Sequence, residues 1–130
     1  MRKLLAFILG ALFAANALWM LAAPLDWYNH IPGVVDTGPA NAHFIRDIGC
    51  AYLVAALALL WLVVAPARAW PAALATGIFL LLHAGTHVWD TVAGREHGHR
   101  LLAEVPTVIL PALLALWLAW PPKPSERTDS

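Results

Sequence analysis

Three ionisable residues follow one another along the segment LLHAGTHVWD: His83, His87 and Asp90, spaced by four and then three positions. Side chains at those separations share one face of a helix. Two imidazoles one turn apart can aim ring nitrogens at a common ion, as in the HExxH zinc helix, and a carboxylate can add an oxygen or orient a ring. A second polar row, His43 and Asp47 with Arg46 beside them and Cys50 one turn on, lies in AHFIRDIGC. His43, Asp47, His83, His87 and Asp90 are therefore the candidate metal ligands. Arg46, Glu104 and Asn16 are candidate supporting or ligand-binding groups. Nitrogen and oxygen donors without thiolate suit a Zn, Cu(II) or Fe(II) ion. HAGTH lacks the glutamate of HExxH, so metalloprotease chemistry has no support.

The same residues admit other uses. Haem needs axial histidines on facing helices, for which His43 with His83 or His87 is the available pair. A quinone head group would use a His or Arg donor with aromatic neighbours such as Tyr52 and Trp89. The plainer use is packing: Arg46 with Asp90, Asp47 with a histidine, and Arg100 with Glu104 would be pairs that fix helix register. The chain would then be a structural or accessory subunit of a membrane complex.

The elements that must position these groups are helices in lipid. Of the 130 residues, 61% are hydrophobic and 12% charged, with a mean hydropathy of +0.68. A soluble domain is nearer half apolar and a quarter charged. Net charge is zero and no basic run is present, which speaks against a nucleic-acid partner. The single cysteine, Cys50, excludes an intramolecular disulfide and a cysteine-based zinc site.

Four apolar stretches reach the roughly 20 residues that a bilayer crossing requires. They run over about 4–23, 44–65, 70–92 and 101–120, and predict an all-α integral membrane bundle of one domain. Pro24, Pro66, Pro71 and Pro121 are read as span ends, whereas Pro106 and Pro111 fall inside the fourth stretch and predict a bend. Arg2, Lys3, Arg68, Lys123 and Arg127 would share one side of the membrane, and Arg46, Arg95 and Arg100 the other. The bias puts both termini in the cytoplasm. Arg2 and Lys3 before an apolar run also fit a signal peptide, but Trp19, Met20 and the length of the run favour a retained helix. The tail 121–130, PPKPSERTDS, reads as disordered and cytoplasmic.

On this map all six histidines, and the carboxylates Asp26, Asp36, Asp47, Asp90, Glu96 and Glu104, go to the outer side or the outer half of a span. Ionisable groups at membrane depth cost several kcal/mol unless they find partners or water. Converging polar rows therefore predict an outward-facing His/carboxylate cavity for a metal ion or small ligand. It would be covered by DWYNHIPGVVDTGPANAH and AGREHGH. The apolar inner half gives a monomer no continuous transport path, which leaves a homo-oligomer or a larger membrane complex as the setting for one.

NAHFIRDIGCAYL opening the second span, and HAGTHVWD closing the third, resemble small four-helix bacterial inner-membrane proteins of the DoxX-like type. The resemblance implies a multi-pass inner-membrane bundle. Some members are associated with thiosulfate or quinone redox chemistry, but no CxxC or other redox motif here carries that activity onto a residue.

Overall fold

The computed structural model describes residues 1–94 and 98–120, with the side chains of residues 98–100 outside the description. The expected tail 121–130 and the groups Arg95, Glu96 and His97 lie outside the described residues, as do the side chains of His99 and Arg100. The described chain is all-helical, with no strand. It comprises α1 (Arg2–Ala22), α2 (Pro24–His30), α3 (Ala42–Val64), α4 (Pro66–Val92), α5 (Gly98–Glu104) and α6 (Leu110–Ala119). A 3-10 turn, Val34–Thr37, lies between α2 and α3, and a π-helical turn, Val105–Ile109, joins α5 to α6. Four helical stretches are long and apolar enough to cross a membrane: Arg2–Ala22, Ala42–Val64, Pro66–Val92 and Leu101–Ala119.

The long helices run antiparallel to their neighbours. α1 packs along α3, α3 along α4, and α4 along α6, while α1 and α6 touch only sparingly. Small residues set these seams. Ala17 of α1, Ala55 and Ala56 of α3, Ala69 and Ala73 of α4, and Ala112, Ala115 and Ala119 of α6 are buried to 2% exposure or less. Without bulky side chains the backbones approach closely, and the close contact adds dispersion attraction along each seam. The tightest approach is at Gly77, where a Cβ would lie 3.0 Å from Leu116 Cα. Outward faces carry the large apolar residues instead: Leu4, Phe7, Ile8 and Leu12 on α1, and Val54, Leu57, Trp61 and Val64 on α3, are all exposed. Apolar stripes of this extent mark faces suited to contact with a membrane or another protein.

At one end of the bundle, Arg2 holds the start of α1 to the end of α6. Its Nη2 donates to the carbonyls of Trp117, Leu118 and Trp120 at 3.0, 3.0 and 2.6 Å, and its guanidinium lies 5.2 Å from the Trp117 ring centroid. These carbonyls lie at the end of α6, where the last turn runs out of backbone donors, although Trp117 O also accepts from Trp120 N–H at 3.3 Å. We call this the terminal end.

The opposite, loop end contains an element that the apolar pattern hides. Pro24–His30 is a short helix rather than loop, begun by Pro24 at a position where no N–H is needed. Trp27 Nε1 donates to Asn16 Oδ1 at 2.8 Å, which fastens α2 across α1. Gly33, at φ +88°, supplies the left-handed residue that turns the chain after α2. Asn41 then caps α3, its side-chain oxygen accepting from the N–H groups of His43 and Phe44 at 3.1 Å each.

Two proline readings are corrected or refined. Pro71 does not end a span: α4 starts at Pro66 and continues through Pro71. A ring this near the helix start disturbs few backbone bonds. Pro106 and Pro111 give the fourth stretch a π turn, in which Leu110 N–H bonds to Val105 O. The extra residue relieves the proline rings and has a geometric effect. Eight residues of regular helix would leave Glu104 about 80° away from the Ala112 face, and the extra residue turns it back by about 100°, to within about 20° of that face. Glu104 thus comes to the side of the helix on which buried Ala112 packs.

Candidate functional site: a His–His–Glu group at the loop end

The candidate site begins on α4. His83 and His87, one turn apart, have ring centroids 4.9 Å apart at an interplanar angle of 77°. His83 stacks on Phe79 one turn below (6.3 Å, 21°) and meets the edge of Tyr52 from α3 (5.9 Å, 86°). Tyr52 also contacts Phe79 at 5.9 Å and Phe13 of α1 at 5.5 Å, both edge to face. Tyr52 and Phe79 therefore hold the His83 ring, and Phe13 of α1 supports Tyr52 from behind, each contact in the geometry that aromatic quadrupoles favour.

His87 carries the contact to the fourth helical stretch. Its Nδ1 lies 2.9 Å from Glu104 Oε2, with the two side chains 24% and 18% exposed. The contact has the distance of an ion pair, yet Glu104 Oε2 is buried with no aligned hydrogen bond among the described residues. The separation is short, but the imidazole does not direct an N–H along it. A buried acceptor in that state calls for a proton, a water or a cation.

The remaining expected residues go elsewhere. His43 and Asp47 pair with each other along the surface of α3 at 3.5 Å, 88% and 59% exposed. That exposure turns His43 away from α4, so it does not face His83 or His87 as the opposite member of a haem pair. Arg46 is exposed and its Nε donates to Leu21 O at 3.2 Å, where α1 ends. It therefore caps a helix terminus, as cations near a C-terminus do. Asn16 receives Trp27 and contacts Met20 Sδ at 3.5 Å, making it a fastener of α2. Asp90 is half-buried on the last turn of α4. Among the described residues no group of three or more His, Cys, Asp or Glu side chains is placed to hold one metal ion, so His83 stands beside the His87–Glu104 pair and is not a third ligand of it. The expected five-residue set is thus divided between two places.

The sequence points to His83, His87 and Glu104 but not to the His87–Glu104 contact, since charge alone pairs Glu104 with Arg100. The aromatic bracket of Phe13 and Phe79 was also missed. Its signal was present: Phe79 precedes His83 by one turn, the spacing already used for His83 and His87.

The fold and site together define an all-helical bundle with four helices able to cross a membrane and a partly buried His–His–Glu group near one end. No family model matches the chain, and neither any curated protein nor any solved structure shows significant similarity to it.

Proposed function

We propose that the chain is a four-span integral protein of a bacterial inner membrane, of the DoxX-like type, with both termini in the cytoplasm. Its functional centre is an open cation site at His87 and Glu104, with His83 behind them, reached from the outer side. The observation that carries this reading is the 2.9 Å separation of His87 Nδ1 and buried Glu104 Oε2 without an aligned hydrogen bond among the described residues. Two donor atoms bound at about 2.1 Å to one ion are about 3 Å apart at the right angle of octahedral or tetragonal coordination, and about 3.4 Å apart at the tetrahedral angle of zinc, so binding zinc would spread the pair by about half an ångström. An imidazole and a carboxylate favour Zn(II), Cu(II) or Fe(II) over harder cations. With two donors in place rather than a closed set, water would fill the other positions, as in exchangeable sites. The orientation is supported by Arg2, Lys3 and Arg68, which lie at the terminal end.

A second reading has its own support. With His87 protonated, the same contact is a complete ion pair between helices, and the chain would be a structural or accessory subunit whose polar residues fix packing. Metal analysis of the detergent-purified protein separates the two. Stoichiometric Zn, Cu or Fe, lost in both His87→Ala and Glu104→Gln, supports the cation site. Protein that stays metal-free after incubation with each ion, and is destabilised by both substitutions, overturns it in favour of the pair.

A further inference from the structure

The terminal end holds a cleft of about 210 Å³ that the His–His–Glu group does not touch. Its walls are apolar, from Ala6 of α1, Leu62 of α3 and Leu118 of α6, with Trp70 and Trp120 beside them and Arg2 and Lys3 among its lining residues. All the described carboxylates, namely Asp26, Asp36, Asp47, Asp90 and Glu104, lie on elements of the loop end. The described charged side chains at the terminal end are Arg2, Lys3 and Arg68, all cationic. Lys3 is exposed and has no ion-pair partner among the described residues.

We infer that this cleft binds an anionic glycerophospholipid from the leaflet at the terminal end. Lys3 and the guanidinium of Arg2 meet the phosphate, and the apolar walls take the upper part of an acyl chain. Two observations converge on a lipid rather than a soluble anion. The cleft is lined mostly by apolar side chains, which a free phosphate would not use. Trp70, Trp117 and Trp120 are exposed around the same end, at the level where tryptophan anchors a helix in the head-group region. Few contacts join α1 to α6, the helices whose ends border the cleft. Basic pockets between transmembrane helices are a recurrent means of holding anionic head groups. This inference stands apart from the cation site, which occupies the other end of the bundle.

Native mass spectrometry of the full chain, released from mixed micelles with equal phosphatidylglycerol and phosphatidylcholine, tests it. Retained lipid should be mainly phosphatidylglycerol, and Lys3→Gln should lower its retention about fivefold, the effect of one basic residue at an anionic surface. Ala6→Leu, which fills the cleft and keeps both charges, should also release the lipid. Arg68→Gln removes a cation from the same end but outside the cleft lining, and should leave retention unchanged. Lys3 is exposed, so its variant folds even if Ala6→Leu does not. Equal retention of the two lipids overturns the inference, as does an equal loss in Lys3→Gln and Arg68→Gln, which would signal general surface attraction. Inorganic phosphate raising the melting temperature as much as phosphatidylglycerol would also overturn it, since the site would then bind the free ion.

Discussion

Two glycines of α4 should respond differently to the same substitution. At Gly77 an added Cβ would meet Leu116 Cδ2 at 2.8 Å, Leu116 Cγ at 3.0 Å and Leu116 Cα at 3.0 Å, whereas at Gly85 nothing lies within 4 Å. The side-chain tip of Leu116 can rotate, but its Cα can move only if α6 does. A shift of α6 by a few tenths of an ångström would loosen the seam around Ala73, Leu80, Ala112 and Ala115, all buried. Overpacking of this kind costs about 1–3 kcal/mol. The gain from replacing glycine by alanine within a helix, about 1 kcal/mol, is common to both sites and cancels in the comparison. Gly77→Ala should therefore be less stable than Gly85→Ala by about 1–3 kcal/mol. Unfolding in mixed detergent and SDS micelles, followed by tryptophan fluorescence, measures the difference directly. Equal stabilities, or a less stable Gly85→Ala, would refute close backbone approach as the basis of the α4–α6 seam.

Other perturbations probe the remaining joints. Trp27→Phe and Asn16→Ala each break the 2.8 Å bond from Trp27 Nε1 to Asn16 Oδ1 and should cost about 1 kcal/mol; in a double-mutant cycle the double variant should cost clearly less than the sum. Arg2→Ala leaves the carbonyls of Trp117, Leu118 and Trp120 without their side-chain donor, and hydrogen exchange should speed up in the last turn of α6 while the middle of α3 stays unchanged. A reporter fused after Ser130 should be active in the cytoplasm and one inserted near Gly38 active outside it; the opposite pattern would invert the bundle.

The four long helices were legible in the sequence because each coincides with an apolar stretch of about 20 residues or more. Their ends were less legible. Arg68 interrupts the apolar run, so the third span was read as starting at about Trp70, whereas α4 begins at Pro66 and keeps exposed Arg68 in its first turns. PLDWYNH is too short and too polar to register as a span, and its helix is held by Trp27 and Asn16, a contact between positions that no periodicity links. At the site, His83 and His87 followed from spacing alone, because neighbours on one helix are a local matter. Their partner did not. Glu104 reaches His87 because a π turn rotates it, and the prolines announce an irregularity without giving its angle. Arg46 was matched with a carboxylate because charge is visible in a sequence, but it serves a backbone carbonyl, and every residue has one.

The most direct test of the cation site is a melting measurement with and without Zn(II) in detergent, on the native sequence and on Glu104→Gln. Saturation at one hundred times the dissociation constant should add about 2.7 kcal/mol to the stability of the native sequence. The account predicts a rise in melting temperature that disappears in Glu104→Gln. A melting temperature that Zn(II) leaves unchanged in the native sequence, or raises equally in both proteins, would contradict it.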